Sequence, residues 1–124
     1  MTDSERCVLV VDDDEDIRET LREVVEMAGC TAITAANGSE GMAMLTQHRP
    51  CLVIVDLVMP VMSGQEMIAA IRLEPSFAGI AIVVSTSAPA GAPSGVPVIP
   101  KPVDVNEVWR WIRETCRCDS PAVV

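Results

Sequence analysis

Short apolar runs alternate along the chain with longer segments in which apolar residues recur every three or four positions. Cys7–Val11 is continuously apolar, as expected of a strand buried on both faces of a parallel sheet. Over residues 15–28, Ile17, Leu21, Val24 or Val25, and Ala28 fall at helical spacing, and Gly29 supplies a stop. Thr31–Ala35 is a weaker strand. Asn37-Gly38 reads as a turn, with Ser39 as the cap of a helix carrying Met42 and Leu45. Pro50 ends that connection, and residues 51–55 form the most strand-like run, closing on Asp56. Ser63 caps a helix through Arg72 with Met67, Ile68 and Ile71 inward. Residues 80–84 form a fourth strand leading into Ser85-Thr86-Ser87, and residues 96–99 a short fifth. Asp104 caps a last helix with Val105, Val108, Trp109, Ile112 and Cys116 on one stripe.

This alternation predicts an α/β domain over residues 1–118 with a tail over 119–124, built on a five-stranded parallel sheet covered by helices on both faces. Ligands of such sheets bind at the carboxyl ends of the strands. Those ends carry Asp12 and Asp13, Asp56, Thr86 and Lys101, so three acids, a hydroxyl and an ammonium converge on one rim.

An apolar content of 49% excludes disorder, and because Phe77, Trp109 and Trp111 are the only aromatic residues the core must be aliphatic. A formal charge of -9 argues against binding nucleic acid and suits a domain that holds a cation or docks on a basic partner. The acidic, polar start is not a signal peptide, and neither long apolar run can span a bilayer; a cytoplasmic location is expected. The five cysteines (7, 30, 51, 116 and 118) include no CxxC and have only His48 nearby. They lack metal spacing and read as reduced thiols. Cys7 and Cys51 are expected as small core hydrophobes, and Cys116 and Cys118, near a fraying end, as thiols open to oxidation in vitro. His48 reads as an exposed bystander, and the methionines as packing.

The ordered set Val10-Val11-Asp12-Asp13-Asp14-Glu15-Asp16-Ile17-Arg18, Val55-Asp56-Leu57-Val58-Met59-Pro60 with Gly64, Thr86, and Lys101-Pro102 resembles the response regulator receiver family of two-component signalling, from about residue 7 to 116. The resemblance implies a doubly wound, flavodoxin-like sheet of order 2-1-3-4-5. It implies a switch rather than an enzyme: a histidine kinase or phosphotransfer protein would phosphorylate Asp56, and a partner would read the change, with no membrane contact. It also implies a Mg²⁺ site with Asp13, Asp56 and the backbone carbonyl of Val58 as direct ligands and Asp12 acting through water. Crowded carboxylates favour such a hard cation. Lys101 and the Thr86 hydroxyl would hold phosphoryl oxygens, and a cis bond would precede Pro102.

Plainer readings stand beside these. Acidic residues at 12–16 also suit a helix start, where the dipole favours them. An EF-hand loop needs Gly where Ile17 stands. A haloacid-dehalogenase-type phosphatase also starts with a strand and Asp-x-Asp, but the chain is short for it and has Asp16 where a hydroxyl or aliphatic residue belongs. Ser85 or Ser87 could take the part of Thr86, and Lys101 could be a surface lysine. Asp56 differs, because a charge ending so apolar a strand is costly without a purpose.

Two features depart from the family. Residues 87–95 hold two Pro and two Gly in nine positions, too few for the usual helix of about 11–12 residues, so a loop with at most a single turn is expected. Val98 occupies the position three before the lysine where many relatives carry an aromatic residue. The vacated sheet face is expected to be compensated by Trp111, leaning over it or forming a docking patch with it, or else Trp111 stands alone at the surface. The alternative function that follows is a receiver-like interaction module that no longer switches.

Overall fold

The computed structural model describes residues 7–116; the expected tail and Cys118 lie outside them. Five strands, β1 (Cys7–Val11), β2 (Thr31–Ala35), β3 (Leu52–Val55), β4 (Ala81–Thr86) and β5 (Val98–Pro100), form one parallel sheet in the order β2-β1-β3-β4-β5. With them stand α1 (Glu15–Met27), α2 (Gly38–His48), α3 (Gly64–Leu73) and α4 (Val105–Thr115). This is the flavodoxin-like α/β arrangement expected.

Alternation along the strands divides the core in two. Val8, Val10, Leu52, Ile54, Val83 and Ile99 face α1 and α4, meeting Leu21, Val25, Val108 and Ile112. Leu9, Val11, Val53, Val55 and Val84 face α2 and α3, meeting Leu45, Met67, Ile68 and Ile71. Burial on both faces explains why β1 and β3 are apolar at every position.

The helices start where side chains satisfy their first amides. Asp14 caps α1, with Glu15 and Asp16 in the first turn, and Ser63 and Glu66 form a reciprocal capping box on α3. Asp104 caps α4 as expected. At α2 the cap is Asn37 rather than Ser39: its side chain accepts from Glu40 N at 2.9 Å, and Gly38 is already helical. Asn serves turns and caps by the same side-chain acceptor, which is why the motif reads as either.

Between β4 and β5 the chain makes one 3₁₀ turn, Pro89–Gly91, and no longer helix, as its prolines and glycines dictate. The segment lies on the α3 side. Gln65 Nε2 donates to Gly91 O at 3.0 Å and Arg72 Nη2 to Ser94 O at 3.0 Å, while Ala92, Val96 and Val98 pack on the core there. Trp111 does not cover this area, contrary to expectation. Three positions after Val108, it lies beside the buried stripe of α4 and packs, half-buried, against the opposite face of the sheet. Trp109 donates its indole N–H to Val24 O at 2.9 Å.

The cysteines also correct the expectation of reduced thiols. Cys51 and Cys116 form a disulfide with Cα atoms 5.4 Å apart, and Cys30 is disulfide-bonded as well. Only the return of α4 to the start of β3 brings residues 65 positions apart together. Closing a loop of that length removes about 4 kcal/mol of unfolded-state freedom in the chain-entropy picture. Cys7 is buried as expected, with Sγ 3.6 Å from His48 O.

One buried polar atom is costly. Ser85 Oγ has no hydrogen-bond partner among the described residues. Ser85→Ala removes that penalty and is expected to raise stability by about 1 kcal/mol, read as a higher urea midpoint. A lower midpoint would mean that the hydroxyl is satisfied in solution.

Candidate functional site at the carboxyl edge of the sheet

Asp12 follows β1 directly and is held at every polar atom. Its N–H donates to Ala35 O at 3.1 Å, and its carbonyl accepts from Arg18 Nη1 at 2.7 Å. Oδ1 accepts from Asp14 N at 2.9 Å and Oδ2 from Lys101 Nζ at 3.0 Å. Asp13, next in the chain, is exposed. One strand over, Asp56 extends the ladder beyond β3 by donating N–H to Val11 O at 2.9 Å. Its side chain is buried, Val58 N–H donates to its carboxylate, and Lys101 Nζ lies 3.5 Å from Oδ1.

Oxygens of Asp12, Asp13 and Asp56 all lie within 4.8 Å of one another. A single ammonium among three carboxylates leaves the cluster short of positive charge. Burial, then the charge of Asp12, pushes the Asp56 carboxyl above its ordinary value, against the opposing pull of Lys101. Burial works against the charge of Lys101, but its hydrogen bond to Asp12 and the two carboxylate charges outweigh this and hold the ammonium above its usual range.

Lys101 is brought here by β5: its N–H donates to Thr86 O at 2.9 Å, and a cis peptide bond links it to Pro102. Thr86 ends β4, buried, with Oγ1 accepting from Ala88 N at 3.1 Å. Among the three hydroxyls left open by the sequence, Ser85 is buried, alternating with Thr86 across the strand, and Ser87 is an exposed loop residue.

The loop from Asp56 to α3 is tightly built. Gly64 donates N–H to Leu57 O at 2.9 Å, and a Cβ at Gly64 would collide with the carbonyl oxygen of Asp56. Only glycine lets the helix begin so close beneath the acid. Val61, exposed in the same loop, adopts φ 69°, a left-handed conformation that costs a non-glycine residue about 1–2 kcal/mol. Neither this strain nor the grip of Arg18 on Asp12 is marked in the residue pattern, since both depend on where the chain turns in space.

Parallel α/β topology with an acidic cluster at the carboxyl edge defines a class of sites, and similarity to known proteins gives the family. The model of the response regulator receiver domain matches residues 8–112, and the chain belongs to that family. An uncharacterized 14.6 kDa protein from Leptolyngbya boryana is 32% identical over 121 residues, covering 92% of each chain. The transcriptional regulatory protein PrrA of Mycobacterium tuberculosis is 37% identical over 65 residues; these are 52% of this chain and 28% of PrrA, so the match spans about a quarter of that relative. Among solved structures, the chemotaxis protein CheY4 of Vibrio cholerae superposes with a TM-score of 0.75 at 27% identity, covering 88% of this chain and 97% of that one. Receiver domains bind Mg²⁺ at an acidic pocket, and the donor set here, three carboxylates converging within reach of one ion, fits a hard divalent cation.

The raised Asp56 carboxyl sets a pH dependence. The folded protein keeps a proton there that the unfolded chain has released, so stability falls as pH rises from the ordinary carboxylate range, about 4, through the raised value. Asp56→Asn is therefore expected to melt higher than the parent at pH 7, with the gain vanishing near pH 4. Thermal melts with a chelator present check this, and a gain of equal size at both pH values would refute it.

Proposed function

We propose that this receiver domain is a phosphoacceptor switch whose acceptor is Asp56, charged by a histidine kinase or phosphotransfer protein in the cytoplasm and read by a partner protein. The observation that carries the reading is the ammonium of Lys101, held 3.0 Å from Asp12 and 3.5 Å from Asp56. It is a cation fixed beside the carboxylate that follows β3, in reach of the new charge a phosphoryl group would bring.

A carboxylate oxygen of Asp56 attacks phosphorus, the phosphorus–nitrogen bond of a phosphohistidine breaks, and the imidazole nitrogen leaves with the bonding pair to be protonated. Lys101 pairs with an oxygen of the new acyl phosphate, and the Thr86 hydroxyl, whose oxygen accepts from Ala88 N–H, donates its proton to another. Asp12, Asp13, Asp56 and the carbonyl of Val58 would hold Mg²⁺, which supplies charge neutralisation for the phosphoryl group when bound. An apolar groove of about 270 Å³ beside Lys101, lined in part by Ile17, Leu21, Val24 and Val103, suits contact with a protein partner. Among the described residues no helix is long and apolar enough to cross a membrane.

The rival reading, an interaction module that no longer switches, draws on the short β4–β5 connection and on Val98. Incubation with a small acyl phosphate and Mg²⁺ separates the two. The switch gains the mass of one phosphoryl group, and Asp56→Asn gains none. No gain in the parent, or a gain that survives the substitution, would sink the assignment.

Lifetime gives a second test. Val58 is exposed, and Ala88 stands two residues past Thr86; neither can orient an attacking water. Val58→Asn or Val58→Glu is expected to speed loss of the phosphoryl group several-fold, roughly the 1 kcal/mol that one added hydrogen bond contributes. Decay of the phosphorylated mass after donor removal measures it, and unchanged decay would refute the role of this position.

A further inference from the structure

A covalent device stands outside the acidic site. Cys51, just before β3, is half-buried; its N–H donates to Cys7 O at 3.0 Å, and its Sγ lies 3.2 Å from the same oxygen. Cys116 is buried at the carboxyl end of α4, its N–H bonded to Ile112 O at 2.8 Å. Their disulfide ties the end of α4 to the sheet, where Val108, Ile112 and the indole of Trp109 otherwise hold the helix.

We propose that Cys51–Cys116 is a reversible thiol–disulfide site, reduced by a dithiol of the thioredoxin class and reoxidised by a small disulfide such as oxidised glutathione, and that its state sets how firmly the end of α4 is held on the sheet. Reversibility rests on the cytoplasmic placement in the functional reading above, because disulfides in reducing compartments are characteristically transient and redox-sensing. The bond itself rests on geometry alone. Its 5.4 Å Cα separation falls inside the range that a disulfide bridges without moving the backbone.

Attack begins at Cys51, the more accessible sulfur. A donor thiolate bonds to Cys51 Sγ, the sulfur–sulfur bond breaks, and Cys116 leaves as a thiolate that takes up a proton. The second thiol of the donor then attacks the mixed disulfide, freeing Cys51 as a thiol and leaving the donor as a disulfide. Two electrons and two protons pass to the pair. With this tie gone, the contacts that hold α4 among the described residues are its apolar packing and the Trp109 hydrogen bond.

The test uses the whole chain. Protein treated with oxidised glutathione, blocked with N-ethylmaleimide and digested should yield a peptide pair joining Cys51 to Cys116 that dithiothreitol separates. Reduction should speed amide exchange over residues 108–116 at least tenfold and lower the melting temperature by about 10 °C. Cys30 is disulfide-bonded too, so a Cys51→Ser/Cys116→Ser variant isolates this pair: oxidised, it should already exchange at the fast rate over 108–116. Absence of the cross-linked peptide, or redox-dependent exchange of α4 that persists undiminished in the variant, would overturn the proposal. Asp56 phosphorylation is measured on the same samples; its absence alongside an intact, reversible cross-link would refute the functional reading and leave the redox site standing.

Discussion

Three carboxylates meet at one edge of the sheet around a single ammonium, and this imbalance of charge constrains everything near it. Lys101 can serve Asp12 and Asp56 at once because β5 lies beside β4 and delivers the lysine through the Thr86 carbonyl. Asp12 in turn is gripped through its backbone by Ala35 and Arg18, so the acids cannot separate to relieve repulsion. The residual negative charge is why the rim suits a divalent cation, while burial first and the charge of Asp12 second hold the Asp56 proton more tightly than in a solvated carboxyl. The phosphoryl group proposed for this rim would add charge where the balance is already strained and would compete for Lys101.

Few contacts join this site to its surroundings. Thr86 holds the Ala88 amide of the β4–β5 loop, and that loop is fastened to α3 by Gln65 and Arg72. The helix α3 begins at Gly64, pressed against the Asp56 carbonyl. Asp56, loop and helix thus form a ring of contacts, without the helix that usually stands between the last two strands. In place of an aromatic residue, Val98 packs into the core beneath the loop. Signalling through this ring would proceed by release or tightening of the loop on α3.

On the other side of the sheet the constraint is covalent. The Cys51–Cys116 bond and the apolar stripe of α4 act on the same helix, and α4 starts three residues after Pro102, which the cis bond joins to Lys101. A helix anchored at its far end by a disulfide and connected at its near end to the acidic rim would place the proposed redox and phosphoryl chemistry on one element.

Much of this is legible in the residues. Two-sided burial writes continuous apolar runs, so β1 and β3 stand out, and strand-end chemistry then gathers Asp12, Asp13, Asp56 and Lys101 on one rim. Prolines and glycines at 87–95 forbid a helix by local sterics alone. The cap of α2, the side taken by Trp111 and the oxidised cysteines differ from what the pattern predicts because each depends on contacts between distant segments. Gly38 begins α2 with its N–H on Met62 O, Trp111 faces the α1 side because α4 packs there, and Cys51 meets Cys116 because that same packing returns the end of the helix to the start of β3. Local periodicity and local chemistry are properties of neighbouring residues and can be read in order along the chain. Which faces close on one another, which backbone turn becomes strained at Val61, and why the Ser85 hydroxyl finds no partner among the described residues were decided only when packing brought remote segments together.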